Sequence, residues 1–254
     1  VFCGVVDECQ VSQTEEGCLL ELSGRGMAAL LLDNEAEAMD YQTATARDIV
    51  RDHVTPYGIE VARWGSLPAV NGFSVQSGSS EWKVLYDFAR YYGGVTPRFD
   101  REGRLILEGW QDREALVIDD KTPVTELGCR DRRYGVLSRI LVKRRGKQGA
   151  ETVENSAFIR RGGQCRRVLT MPGKSNYKTM RYNGQFQLDK SAAELLRVQV
   201  KLPVLFFAMP GDLVKLARWD WGRNGIYRVL EAAVSAGSGG GSTKLELGPP
   251  DTVI

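Results

Sequence analysis

The chain has 254 residues, 43% of them hydrophobic, enough for one large core or two modest ones. Its 34 basic and 32 acidic residues nearly cancel, leaving +2, so the whole molecule is not a polycation that coats nucleic acid and any basic function is local. Five cysteines with no CxxC, and a single histidine, exclude a zinc cluster and point to a reducing compartment at synthesis.

The chain opens Val1-Phe2-Cys3-Gly4, without Met and directly in a strand pattern, and is expected to be a fragment whose N-terminal part is absent. Residues 1–23 read as two strands around a turn at Thr14-Glu15-Glu16-Gly17. A lone hairpin is marginal, so these strands are expected to complete a barrel whose other strands are missing. Good helix formers follow from Met27 to Leu32. No run of 18 apolar residues and no leader sequence appears anywhere.

Two segments then align without a gap at an offset of 35 residues, TARDIVRDHVTPYG (45–58) and SEWKVLYDFARYYG (80–93). Thr45 matches Ser80, Ile49-Val50 matches Val84-Leu85, Val54 matches Ala89, and Tyr57-Gly58 matches Tyr92-Gly93. Each copy carries an N-cap residue, an apolar stripe at helical spacing, an aromatic in the last turn and a stopping glycine. Thr45 and Asp48 also approximate a capping box. The pair predicts a small two-helix α/β unit with internal pseudo-symmetry.

A hairpin with Asp100-Arg101-Glu102-Gly103 at its turn comes next. From about residue 123 the chain reads as short strands, SAFIRRGG among them, with one helix at DKSAAELLRV. Glycine and proline punctuation argues for a β-barrel or sandwich. The run Ala236-Gly237-Ser238-Gly239-Gly240-Gly241-Ser242 resembles a tether, but Thr243, Leu245 and Leu247 alternate with Lys244 and Glu246 after it. It is therefore read as a long hairpin tip over 235–242, at little entropic cost.

No catalytic, cofactor-binding or metal-ligating constellation emerges. His53 is the only candidate base, and it aligns with Phe88, which places it on a core face. Met171-Pro172-Gly173-Lys174-Ser175 resembles the end of a phosphate loop, but Val168 stands where its first glycine belongs. Acidic pairs such as Asp119-Asp120 and Glu35-Glu37 are ordinary surface features. One charge feature remains, the segment 130–147, in which Arg130, Arg132, Arg133, Lys143, Arg144 and Arg145 are candidates for channel or subunit contact. A nucleic-acid-binding module using this segment is one alternative reading, although the segment lacks the run of interleaved stacking aromatics that single-strand binders require. The apolar stretch LPVLFFAMPGDLVKL and the tryptophans of ARWDWG suggest subunit interfaces.

The order of these features, with SGRGMAALLLDNEA and GSSEWKVLYDFARYYG as the most specific pieces and FFAMPGDLVKL, GIYRVLEAAV and TKLELG closing the chain, resembles phage tail baseplate hub proteins of the Mu-like and late control gene D-like kind. The nearest in pattern are hubs of phages and defective prophages in Gram-positive bacteria. The resemblance implies an α+β, β-rich fold with two barrel-like β domains, the first incomplete here, and an inserted small α/β unit containing two related helices. The expected division is 1–23 for the last strands of an N-terminal barrel, 24–122 for the α/β unit and 123–254 for a tube-like C-terminal barrel with one inserted helix.

It also implies a virion structural protein of the tail baseplate, made in the bacterial cytoplasm. The implied form is a homotrimer adapting a sixfold tail tube to a threefold spike or fibre. Implied partners are the tail tube or distal tail protein, the spike or fibre, the tape measure and transiently passing DNA, with no membrane, cofactor or catalysis. A tail-associated cell-wall hydrolase is the remaining alternative, with no residues to support it.

Overall fold

A computed structural model describes residues 3–252 apart from 16, 147, 172, 174 and 194. The chain divides into two compact units, Val1–Trp110 and Gln111–Ile254.

The first unit begins with the hairpin β1 (Gly4–Thr14) and β2 (Gly17–Gly26), which pair only with each other among the described residues. Helix α1 (Ala28–Asp33) leads to β3 (Met39–Ala44) and α2 (Ala46–His53). After a 3-10 turn at Thr55–Tyr57 come β4 (Val61–Trp64), β5 (Val70–Val75) and α3 (Glu81–Asp87), then the short hairpin of β6 (Arg98–Phe99) and β7 (Leu105–Leu107). β3 pairs with β5, and β7 lies between β4 and β6.

Both helices start as their sequences require. The Thr45 hydroxyl accepts from the Asp48 N–H, and the Asp48 carboxylate accepts from the Thr45 N–H at 3.0 Å, closing the capping box. The Ser80 hydroxyl accepts from the Lys83 N–H at 3.2 Å. Ile49 and His53 of α2, and Val84 and Phe88 at the end of α3, stand four residues apart and so face one core. In that core Phe73 meets Phe88 edge to face at 5.6 Å and Tyr92 at 5.9 Å.

The stops differ. Gly58 ends the first copy at φ 69°. The second copy runs on through a π-helical turn over Phe88–Tyr92, and the left-handed residue is Gly94 at φ 70°, one position after the aligned glycine.

The second unit holds two sheets. Its strands are β8 (Leu116–Asp119), β9 (Glu126–Asp131), β10 (Arg139–Arg144), β11 (Ala150–Glu154), β12 (Arg166–Met171), β13 (Leu196–Leu202), β14 (Leu213–Ala217), β15 (Gly225–Gly237) and β16 (Gly240–Gly248). Helix α4 (Ser156–Arg160) precedes β12 and α5 (Tyr177–Ala193) follows it. The larger sheet has the order β8-β14-β15-β16-β13-β9. Val198, Val200 and Leu202, then Leu245 and Leu247, then Val214 and Leu216 alternate into its core, all 0% exposed.

This sheet must roll. Flat, its edges β8 and β9 would lie five strand spacings apart, about 24 Å. Yet Asp119, at the end of β8, closes a turn with Thr122, and Thr125 already bonds to Lys201 of β13 in the β9 position at 2.8 Å. A turn of under about 7 Å and three Cα steps of about 3.8 Å reach roughly 18 Å. The result is a barrel-like sheet whose hydrogen bonding does not close among the described residues, within an α+β, β-rich protein.

The smaller sheet, β11-β10-β12, carries α5 on one face. A Cβ at Gly184 of α5 would stand 2.7 Å from Val153 and 3.0 Å from Val142, so glycine there lets helix and sheet approach.

Three local expectations are corrected. SAFIRRGG is the helix α4 and not a strand, started by the Asn155 side chain accepting from the Phe158 N–H at 3.0 Å. Helix α5 begins at Tyr177 and ends at Ala193, while Leu196–Leu202 is strand; Asn183 and Gly184 disguise its first half. The run at 235–242 is no eight-residue tip, because β15 and β16 stay paired out to Gly237 and Gly240, leaving Ser238-Gly239 as the turn.

Candidate functional site

The segment 130–147 does not form one patch. Arg130 lies on β9 opposite Arg197 of β13. The Arg132 guanidinium sits 4.0 Å from the Tyr134 ring centroid, and Arg133 approaches Asp131 at 3.8 Å. The chain then turns inward, with Val136 0% and Leu137 1% exposed and the Leu137 N–H donating to the Ser191 hydroxyl at 3.0 Å.

Only after this does β10 begin, and Lys143 and Arg144 lie at its far end, about 16 Å of strand beyond Arg139. Arg145 donates its N–H to the Met171 carbonyl at 2.8 Å. The six sequence candidates thus fall into two groups at opposite ends of an inward loop and a strand.

A different basic row appears on the smaller sheet. Arg139 of β10 stands beside Arg166 of β12 in parallel register, with Glu154 of β11 on its other side at 2.8 Å. Arg166 is 27 residues away in sequence, so only strand register brings the row together.

His53 is 3% exposed, as its alignment with Phe88 implies. Its Nδ1 lies 2.6 Å from the Glu81 carboxylate and its Nε2 3.1 Å from the Tyr41 hydroxyl. Tyr57 donates to the other Glu81 oxygen at 3.1 Å, and Tyr41 donates to Asp52 at 2.9 Å. Burial, then the Asp52 carboxylate, pushes the Tyr41 phenol above the usual tyrosine range. The Arg51 guanidinium beside Asp52 holds its carboxyl below the usual carboxylate range. With both ring nitrogens engaged, His53 ties the C-terminus of α2 to the N-terminus of α3.

A cleft of about 420 Å³ in the second unit is lined by Asp131, Asp189 and Asp251, by Arg161 and Arg223, and by Phe158. Its charges are mixed. No group of three His, Cys, Asp or Glu side chains among the described residues could hold a metal ion. Of the phosphate-loop look-alike, Pro172 and Lys174 lie outside the described residues. The five cysteines carry free thiols.

Exposed apolar side chains include Val11, Leu20 and Leu22 on the β1–β2 hairpin, Leu205 and Phe207 in the loop before β14, and Trp219, 86% exposed, after it. Trp221, the other tryptophan of ARWDWG, packs against the core. No helix among the described residues is long and apolar enough to cross a membrane.

No curated protein sequence matches the chain. The family model described as baseplate hub protein gp44-like, second domain, matches residues 28–109. Among solved structures, a prophage MuSo2 43 kDa tail protein from Shewanella oneidensis superposes with a TM-score of 0.82 at 17% identity, over 100% of this chain and 81% of that one. A tail protein from Neisseria meningitidis MC58 gives 0.80 at 16% identity, over 99% and 82%. The prophage tail protein gp18 from Listeria monocytogenes gives 0.64 at 11%, over 96% and 76%. At such identities the structures share the fold alone, and that fold spans both units. Residues 28–109 thus match the second domain of gp44-like baseplate hub proteins, and the fold of the chain is similar to that of phage and prophage tail proteins.

Proposed function

We propose that this hub-like chain is a non-enzymatic structural part of a phage or prophage tail baseplate. Three copies form a ring that adapts the sixfold tail tube to a threefold spike or fibre. The observation that carries this reading is the coincidence of a hub-family match over 28–109 with a tail-protein fold over the whole chain.

The symmetry argument is physical. Two similar barrel-like domains in each of three chains present six similar surfaces to a sixfold partner. In this reading the rolled sheet of the second unit, from β8 onward, supplies one such domain. The β1–β2 hairpin contributes the last strands of the other. The exposed apolar side chains of the hairpin and of the loop before β14 are then buried within or between subunits. Partners are the tail tube or distal tail protein, the spike or fibre and the tape measure, with DNA passing through the ring. Assembly takes place in the bacterial cytoplasm.

Sedimentation of the full-length protein, together with class averages by electron microscopy, tests the reading. A threefold ring with a central hole is expected. A monomer that persists at high concentration overturns it.

A further inference from the structure

The smaller sheet of the second unit ends in β12, beside whose outer edge no strand lies among the described residues. Ladder geometry fixes which groups face that edge. The Cys165 carbonyl accepts from Ser138 at 2.8 Å and the Met171 carbonyl accepts from Arg145 at 2.8 Å, so both point toward β10. Main-chain direction alternates along a strand, so Arg167 and Leu169 also point inward. Arg166, Val168 and Thr170 therefore turn their N–H and C=O groups outward, where the described residues supply no strand.

The side chains of the same three residues share the sheet face opposite α5, since their register partners are Arg139, Leu141 and Lys143. The buried neighbours Ile140 and Val142 face the helix. Reading across the sheet, one row runs Glu154, Arg139, Arg166, that is minus, plus, plus. The next row runs Thr152, Leu141, Val168, and Val168 is 51% exposed.

An added strand would extend both rows. Opposite charges stabilise a cross-strand neighbour and like charges oppose it, so the position beside Arg166 calls for a carboxylate. The position beside Val168, two residues along, calls for an apolar side chain.

We infer that the outer edge of β12 is a docking site for an extended segment of another protein, one carrying a carboxylate and an apolar side chain two residues apart, which adds as a fourth strand beside Arg166 and Val168. Main-chain hydrogen bonds supply the affinity, and the two rows supply the choice of partner. The arginines also repel a second copy of this same edge, so they guard against self-pairing while admitting an acidic strand. This site does not depend on the ring reading above.

The test uses the full chain and a fluorescent, end-blocked ten-residue peptide in which Glu and Val take turns at every second position with Thr between them (Thr-Glu-Thr-Val-Thr-Glu-Thr-Val-Thr-Thr), so that Glu and Val stand two residues apart on one face. Controls are the Lys/Val peptide and a short DNA duplex, all at low salt. The Glu/Val peptide is expected to bind, and its binding is expected to slow hydrogen exchange at the N–H groups of Arg166, Val168 and Thr170. Val168→Pro removes an outward N–H without breaking the ladder, and is expected to weaken binding by about tenfold or more. Arg166→Glu covers the case in which the proline variant does not fold, and is expected to shift preference toward the Lys/Val peptide.

No binding of the Glu/Val peptide overturns the inference. So does binding that is indifferent to both substitutions, or an unchanged preference in Arg166→Glu. Preferential binding of the duplex assigns the arginines to phosphate contact instead. Self-association that Val168→Pro abolishes assigns the edge to a second copy.

Discussion

The two related helical segments of the first unit begin alike and end differently. Both start at a hydroxyl cap and both carry an aromatic residue and a glycine at the far end. At the aligned core position, however, one places His53 and the other Phe88. Phe88 joins the ring cluster with Phe73 and Tyr92, whereas His53 reaches across to Glu81 at the start of the second copy. A repeated pattern thus supplies two equivalent helices, and one polar exception joins them.

The largest expected effects come from breaking that exception or its counterpart. Phe88→Ala empties a site that is 1% exposed and is expected to cost about 3–5 kcal/mol in chemical denaturation. His53→Phe makes the first copy resemble the second, but it removes the His53 partner of the buried Glu81 side chain and leaves it the Tyr57 hydroxyl. A loss of about 3 kcal/mol is expected, part of which the further change Glu81→Gln restores. If His53→Phe alone is neutral, the tie has no structural weight.

Tyr41→Phe sharpens the comparison at a smaller scale. It removes the hydroxyl between His53 and Asp52 and is expected to cost about 1–2 kcal/mol by thermal melting. Thr45→Ala removes the reciprocal cap of the first copy, at about 1 kcal/mol. Ser80→Ala should cost less, since its hydroxyl accepts from the Lys83 N–H without the reciprocal bond that completes the box at Thr45.

The smallest effect is a pH dependence. The folded pKa of Asp52 is depressed, chiefly by Arg51, so its contribution is fully present above the unfolded aspartate range near pH 4 and is lost as the pH falls through the folded value. Denaturation midpoints from pH 5 downward should fall less steeply in Asp52→Asn than in the parent chain.

What could be read from the sequence was what depends on neighbours a few residues apart. The caps at Thr45 and Ser80, the turn at Gly103 and the alternation of Leu245 and Leu247 are local, and all four stand where the sequence puts them. Helix α5 was half hidden because Gly184 is chosen for contact with Val142 and Val153, which belong to other strands. The Ala236–Ser242 run looked like loop because glycine and serine are poor strand formers, yet backbone pairing with β16 needs no side chain. The grouping of Arg139 with Arg166 was out of reach for the same reason, since parallel register is set by the whole sheet and not by spacing in the chain.

The short connection from Asp119 to Thr125 has one more consequence. Because it joins the two outermost strands of the larger sheet, the curvature of that sheet is encoded as a length of chain, a tie-rod across the opening of a staved vessel. Side chains inside can be exchanged for others of like volume and the bore keeps its radius. Lengthening the rod by a few glycines would free the staves to splay while leaving every packed residue unchanged.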